Sequence, residues 1–242
     1  LPPLPMPLDN LSATYADGCL YVAGGKGKPQ TVPIGKDGSQ TAPTNPLFSL
    51  QLTPSLQKEW VRLPDFPGPA RVQPVLTAQQ SEDGIRLYLA GGFQPASAHQ
   101  EAIVCTDMLS YHPKTKQWRN EGFLPSLAGG SHRTVTGGCA IASGDSSILL
   151  VGGVNYDRFR DALNHPEPDY LLHPADWYKF NTSLLQYNTF TKHWTHLGNY
   201  EELARAGAGI ANNANTVIII GGELKPGIRT PEVNAFKLTC HP

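Results

Sequence analysis

Leu87-Tyr88-Leu89-Ala90-Gly91-Gly92 is an apolar run closed by two glycines, and the same pattern occurs three more times along the chain. The other copies are Leu20–Gly25, Leu149–Gly153 and Ile218–Gly222. Each run is continuously apolar, as expected for a strand buried on both faces. The paired glycines permit a sharp turn and close packing at the end of the strand. A motif that recurs at roughly 60–70 residues predicts a repeat architecture.

Each copy is flanked by further strand-like segments that together predict a four-stranded unit. The first strands are predicted at Ser12–Tyr15, Val72–Ala78, Gly138–Ala142 and Ala206–Ala211, and the third at Leu47–Leu52, Met108–His112, Leu184–Tyr187 and Val233–Leu238. Three units end in a strand opened by tryptophan, at Trp60, Trp118 and Trp194. Four short strands, with Gly-Gly after the second and Trp opening the fourth, are typical of a kelch-type β-propeller blade.

The sequence therefore predicts an all-β fold, a single propeller domain over residues 1–242. Its four blades are expected at about 6–64, 65–125, 126–198 and 199–242. The first residues, Leu1–Pro5, resemble the stretch after a blade's tryptophan, and the chain stops at His241-Pro242, where the fourth Trp strand is due. Four kelch blades alone would form a very tight ring. Either the N-terminal stretch closes the fourth blade or the four blades are part of a larger, incomplete ring, and we favour the second arrangement.

Composition excludes several classes of function. With 40% hydrophobic and 16% charged residues, the chain can bury a core and is too apolar for disorder. A net charge of −1 gives no broad basic field for nucleic acid or anionic lipid. No apolar run approaches the roughly 20 residues of a membrane helix. The N-terminus lacks the basic start and apolar core of a signal peptide, although a precursor segment is compatible with it.

The four cysteines, Cys19, Cys105, Cys139 and Cys240, are widely separated. None has the Cys-x-x-Cys or Cys/His spacing of a zinc site. Three adjoin strand-like sequence, which favours small buried thiols, while the even count also permits disulfides.

Loops that leave the inner strands of a propeller surround its central channel, so the residues after each Gly-Gly are candidates for function. After Gly153, a long insertion at 155–180 is rich in aromatic and acidic residues. Insertions of this length are usually functional or disordered. The aromatic content favours a packed, partly helical lid.

After Gly222, Glu223 and Arg229 are six residues apart around Pro226-Gly227, so both can face one pocket. Glu223 can serve as a general base, and Arg229 can bind a carboxylate through two parallel hydrogen bonds. On composition alone, an ordinary salt bridge within a loop is the more frequent explanation of such a pair.

The stretch Gly222-Glu223-Leu224-Lys225-Pro226-Gly227-Ile228-Arg229-Thr230 resembles the Gly-Glu-x-Lys-Pro-Gly-x-Arg-Thr motif of the N-acetylneuraminate epimerase family, the bacterial sialic acid mutarotases. This motif is much more specific than the kelch pattern. The resemblance covers nearly the whole chain. Weaker matches are Gly152-Gly153-Val154-Asn155 with Phe159, Phe180-Asn181 followed by Leu184-Leu185, Phe66–Arg71 (shifted by one residue) and Tyr111–Thr115.

The resemblance implies a six-bladed kelch propeller of which this chain covers four blades. Circularly permuted members carry blades five and six first, which fits the ends seen here. It implies interconversion of the α and β anomers of N-acetylneuraminate, with Glu223 as proton acceptor and Arg229 as partner of the substrate carboxylate. It also implies substrate-binding roles for Arg71, Asn155, Asn181 and Lys225.

By the same resemblance, no metal or organic cofactor is needed, the partner is a small acidic sugar, and the location is periplasmic or secreted. Two alternatives remain: a kelch module that binds a protein without chemistry, and a propeller that binds a glycan without catalysis. A copper radical oxidase is disfavoured, because the sequence does not assemble its Tyr/Cys/His copper cluster.

Overall fold

The computed structural model describes residues 1–27, 45–127, 129–213 and 215–238. The first blade contains β1 (Leu8–Asp9), β2 (Ser12–Ala16), β3 (Cys19–Ala23), β4 (Lys26–Gly27), β5 (Leu47–Gln51) and β6 (Val61–Leu63). The second contains β7 (Val75–Ser81), β8 (Gly84–Ala90), β9 (Phe93–Gln94), β10 (Ile103–Val104), β11 (Asp107–His112) and β12 (Gln117–Phe123).

The third blade contains β13 (Cys139–Ser143), β14 (Ser147–Val151), helix α1 (Tyr156–Asn164), two 3-10 helices (Tyr170–Leu172 and Ala175–Tyr178), β15 (Ser183–Asn188) and β16 (His193–Asn199). A 3-10 helix at Glu201–Leu203 leads to the fourth blade, with β17 (Gly209–Asn213), β18 (Thr216–Ile220), β19 (Glu223–Lys225), β20 (Ile228–Arg229) and β21 (Val233–Lys237).

Each blade is an antiparallel meander. The strand orders are β2-β3-β5-β6, β7-β8-β11-β12, β13-β14-β15-β16 and β17-β18-β21. The predicted apolar run is the second strand of every blade, and the innermost strands follow one another from blade to blade: β2 packs on β7, β7 on β13 and β13 on β17. The predicted all-β propeller with four visible blades is therefore confirmed. Within the described residues, the main sheet of the fourth blade has three strands, and β19 and β20 form a separate two-stranded sheet.

The first strands begin later than predicted in the second and fourth blades, at Val75 and Gly209. Val72 and Ala206, which were assigned to these strands, instead form single bridges to Phe93 and Glu223. Each bridge pairs a residue just before the first strand with the residue that follows Gly-Gly. The chain therefore changes direction before the first strand begins to pair with the second.

The core is divided into three apolar layers, one between each pair of adjacent blades. Leu87, Leu89 and Tyr111 pack against Tyr21 and Leu47 of the first blade, and corresponding layers lie between the second and third and between the third and fourth blades. Two of the tryptophans, Trp118 and Trp194, border these layers, as predicted for the residue that opens the fourth strand.

In the first three blades, backbone of the next blade closely approaches the first glycine of the Gly-Gly pair. Gly152 has a φ of +66°, and a Cβ there would lie 2.6 Å from the carbonyl oxygen of Arg205 and 2.9 Å from that of Leu203. Gly153 then donates its N–H to the Arg205 oxygen at 2.9 Å. Side chains are thus excluded at the point where two blades meet.

The insertion at 155–180 is folded and partly helical. Asn155 begins α1 by accepting a hydrogen bond from the N–H of Arg158. Beyond the helix, Tyr178 and Phe180 are buried against Val154 at the base of the insertion. No helix in the described ranges is long and apolar enough to cross a membrane.

Cys19, Cys105 and Cys139 are free thiols, and Cys240 lies outside the described residues. Cys105 and Cys139 are buried, as favoured from sequence. The Cys139 thiol donates to the carbonyl oxygen of Ala208 at 2.9 Å, and burial raises its pKa to about 11.

One buried carboxylate, Glu121, joins the second and third blades. It accepts hydrogen bonds from Ser110 Oγ at 2.5 Å, Arg119 Nε at 2.8 Å and the Tyr187 hydroxyl at 3.0 Å. Burial by itself raises the pKa of Glu121, but these hydrogen bonds outweigh it and hold the pKa below its usual value. The charged form of Glu121 is therefore the one that the fold stabilises.

Gly152→Ala should lower the free energy of unfolding more than Gly144→Ala, measured by urea denaturation. Both glycines have positive φ, +66° and +56°, but Gly144 has no atom within 4 Å of a built Cβ. The shared backbone strain costs about 1–2 kcal/mol, and the clash at Gly152 adds roughly 2 kcal/mol. Equal losses would contradict the proposed close approach of the blades.

Glu121→Gln should be less stable than the parent at pH 7, by about 1–3 kcal/mol, because hydrogen bonds to a charged acceptor are lost. Because the pKa of Glu121 is lower in the folded protein than its value of 4.5 in the unfolded chain, its charge stabilises the fold at pH values above 4.5. This contribution is lost as the pH falls through the folded-state pKa. The difference between parent and variant should narrow below about pH 4.5 in urea unfolding series. A difference independent of pH would refute this account.

Candidate active site

A cavity of about 410 Å³ lies where the four innermost strands begin. Each blade contributes to its wall: Asn10, Leu11 and Ser12 from the first, Gln73 and Pro74 from the second, Gly137 and Gly138 from the third, and Ala206, Gly207, Gly222, Glu223 and Arg229 from the fourth. Its size falls within the roughly 300–1,000 Å³ of small-molecule sites. We call it the axial cavity.

In every blade, a residue with left-handed backbone lies shortly before the innermost strand and lines the axial cavity. Asn10, Gln73, Gly137 and Gly207 have φ values of 53°, 55°, 69° and 63°. Their backbones form a chain of hydrogen bonds, from Gln73 N to Asn10 O at 2.8 Å, from Gly137 N to Gln73 O at 3.0 Å, and from Gly207 N to Gly137 O at 2.7 Å. Sequence reasoning missed Asn10 and Gln73. Aligning the residue before each first strand across the repeats would have found them.

Glu223 and Arg229 lie on a two-stranded ribbon formed by β19 and β20. Pro226 and Gly227 occupy its turn, where the φ of Gly227 is +78°, as a Pro-Gly turn requires. The backbone of Glu223 is fixed by two hydrogen bonds with Ala206, at 2.7 and 3.0 Å. The ribbon register places Glu223 directly opposite Arg229.

The structure brings the two side chains together in the axial cavity. Arg229 Nε donates to Glu223 Oε1 at 3.3 Å, and the side chains are 81% and 31% exposed, respectively. The salt bridge that composition alone allows is thus present, but it lies at the wall of a cavity rather than on an isolated loop. Because Arg229 is so exposed, its terminal nitrogens are accessible to an acidic ligand.

The structure places the Arg71 side chain in a buried ion pair and not in the wall of the axial cavity. Its side chain is fully buried, pairs with Asp107 at 2.8 Å and donates to the carbonyl oxygen of Gly91 at 3.0 Å. Arg205 has the same position in the fourth blade, where it donates to the carbonyl of Gly221 at 3.1 Å. These arginines hold the first glycine of the Gly-Gly pair, a structural task that the sequence did not reveal.

Asn181 performs the corresponding task in the third blade. Its amide nitrogen donates to the carbonyl oxygens of Thr134, Gly152 and Val154 at 2.8–3.2 Å. Both Asn181 and Asn155 border a second cavity of about 720 Å³ between the insertion and the fourth blade, which we call the side cavity. The structure therefore places neither of them with Glu223 and Arg229.

Lys225 is also placed away from the axial cavity. Its ammonium group donates to the carbonyl oxygens of His173 at 2.6 Å and Leu171 at 3.2 Å, in the insertion. Among the six site residues expected from sequence, the structure unites two, Glu223 and Arg229.

One group of potential metal ligands occurs in the described part of the chain. Glu167, Asp169 and His173 offer atoms within 4.8 Å of one another. The two carboxylates are exposed, and exposed acidic groups commonly cluster without an ion. The Nε2 atom of His173 is buried and has no hydrogen-bond partner among the described residues.

Fold and site together define a β-propeller with a polar axial cavity that carries a paired carboxylate and guanidinium. A family model described as N-acetylneuraminate epimerase matches residues 2–241. The chain belongs to the N-acetylneuraminate epimerase family.

Curated relatives of that name agree with this assignment. One from Haemophilus influenzae (strain PittEE) is 30% identical over 94% of this chain and 60% of its own length. Another, from Pasteurella multocida (strain Pm70), is 27% identical over 83% of this chain and 52% of its own. The chain thus spans little more than half the length of these relatives. The solved structure of YjhT, at 23% identity and a TM-score of 0.72, covers 100% of this chain and 69% of that one, and supports the fold.

Arg71→Met and Arg229→Met should separate a structural arginine from a surface one. Removing Arg71 strands the partly buried Asp107, so we expect a loss of about 2–4 kcal/mol in unfolding free energy. Removing Arg229 should change it by less than about 1 kcal/mol, because exposed ion pairs contribute little. Urea denaturation of both variants checks this. A large loss for Arg229→Met would mean that the ribbon is part of the stabilising core.

Proposed function

We propose that the protein interconverts the α and β anomers of N-acetylneuraminate by acid–base ring opening in the axial cavity. The observation that carries the proposal is the pairing of Glu223 with Arg229 at 3.3 Å in that cavity. Membership of the N-acetylneuraminate epimerase family supports the substrate. Because the chain spans 52% to 60% of the relatives' length, activity should be assayed on the full-length protein.

The chemistry requires two proton transfers. The base removes the proton of the anomeric hydroxyl, the carbonyl forms at the anomeric carbon, the bond to the ring oxygen breaks, and that oxygen takes up a proton from solvent water. Rotation of the open chain exposes the other carbonyl face, and the reverse transfers close the ring. In our proposal, Glu223 accepts the hydroxyl proton and returns it on closure. General acid–base catalysis of this kind typically gives about 10²–10⁴-fold.

Arg229 has a different task. The substrate carries a carboxylate on the anomeric carbon, so a guanidinium at this site fixes the reacting carbon beside the base. The Nε of Arg229 donates a hydrogen bond to Glu223, while its exposed terminal nitrogens are available to bind the substrate. A single Arg–Glu pair thus orients the substrate and performs the proton transfer.

Glu223→Gln should lose the catalysed rate of anomer exchange while keeping the fold. The assay is an anomer-resolved NMR time course on freshly released α-N-acetylneuraminate, corrected for the spontaneous rate. We expect a fall of about 10²–10⁴-fold, the usual contribution of a general base. The matched control is Glu59→Gln, an exposed glutamate in the loop before β6, which should behave as the parent.

Two outcomes would count against the proposal. Unchanged exchange in Glu223→Gln would remove Glu223 as the base. A full-length parent protein that binds the sugar in calorimetry without accelerating exchange would instead be a glycan-binding propeller.

A further inference from the structure

Lys225 joins the ribbon that carries Glu223 and Arg229 to the insertion of the neighbouring blade. Along β19, Glu223 borders the axial cavity and Leu224 borders the side cavity. Lys225 follows, and its ammonium group meets the carbonyl oxygens of His173 and Leu171. The ribbon therefore lies between the two cavities. Lys225, the last residue of β19, attaches it to the insertion of the third blade.

These two carbonyls are natural acceptors for a cation. Leu171 lies in the 3-10 helix Tyr170–Leu172, and His173 directly follows it. The last carbonyl groups of a helical turn lack partners within that turn. Hydrogen bonds from a charged donor are also shorter and stronger than neutral ones, which agrees with the 2.6 Å contact to His173.

Aromatic contacts hold the part of the insertion that receives Lys225. The His173 ring stacks on Trp177 at 3.8 Å between centroids and 6° between planes. The Arg158 guanidinium lies over the Trp177 ring at 4.4 Å, and Tyr170 contacts Trp177 edge-to-face. Lys225 is thus anchored to an aromatic cluster rather than to a loose loop.

We propose that Lys225 is a positioning residue, which uses the insertion as a fixed support for the β19–β20 ribbon. The Ala206 hydrogen bonds hold the start of β19, and Lys225 holds its end. With both ends fixed, Glu223 and Arg229 stay opposite each other in the axial cavity. The effect of Lys225 on reaction rate rests on the proposed function; its effect on ribbon mobility does not.

The test compares Lys225→Met with Lys225→Arg and with Lys237→Met in the full-length protein. Methionine keeps the apolar stem and removes the donors, arginine keeps a donor cation, and Lys237 is exposed on β21 of the same blade. Hydrogen exchange is followed in peptides that cover residues 170–178 and 218–229. Anomer exchange is followed by NMR to obtain kcat and KM.

We expect Lys225→Met to speed hydrogen exchange in both peptides by about tenfold, because two partly exposed hydrogen bonds from a charged donor are lost. We also expect kcat to fall by about tenfold while KM stays within roughly twofold, because the base is displaced and the carboxylate site remains. Lys225→Arg should largely restore both values, and Lys237→Met should match the parent. If Lys225→Met does not fold, Lys225→Leu, which also removes the donors, gives the same comparison.

The outcomes distinguish this inference from the proposed function. Unchanged exchange and unchanged kinetics in Lys225→Met overturn the positioning role. A raised KM with unaltered kcat also overturns it, because Lys225 would then bind substrate. Faster hydrogen exchange in a protein whose parent shows no anomer exchange retains the support role and removes the proposed function.

Discussion

The structure depends on a chain of backbone hydrogen bonds around its axis. Gln73, Gly137 and Gly207 each donate an N–H to the corresponding residue of the preceding blade, at 2.7–3.0 Å. Left-handed backbone at these positions turns the N–H toward the neighbouring blade before the innermost strand begins. The same residues form the wall of the axial cavity. The contact that assembles the blades thus also creates the place where a ligand can bind.

One position of the repeat separates scaffold from site. The residue after Gly-Gly is Lys26, Phe93, Val154 or Glu223 in the four blades. In the last three, its backbone bonds to the residue that precedes the axial chain. Because the backbone is specified by the repeat, the side chain is free to differ. A single acidic residue at this position, in the fourth blade, then gives a carboxylate in the cavity without altering the fold.

The sequence predicted the fold well because its signals are local: apolar runs, paired glycines and tryptophans that recur in register. It also predicted the Glu223–Arg229 pair, since a Pro-Gly turn sets two residues opposite each other on a ribbon. It did not reveal the contacts that Arg71, Asn181 and Lys225 make, because their partners are far away in the chain. Asp107, for example, is 36 residues from Arg71. In the sequence, a polar residue near a recurring motif looks the same whether its side chain binds substrate or donates hydrogen bonds to backbone carbonyl groups.

The supporting polar residues have a common logic that bears on the chemistry. Arg205 holds the carbonyl before the ribbon, Ala206 holds the start of β19, and Lys225 holds its end. The ends of the Glu223 and Arg229 side chains, by contrast, remain partly or largely exposed. A proton-transfer site needs a base whose backbone is fixed but whose carboxylate can still meet solvent and substrate. Rigid backbone under accessible side chains meets that requirement, and only groups distant in sequence can provide it.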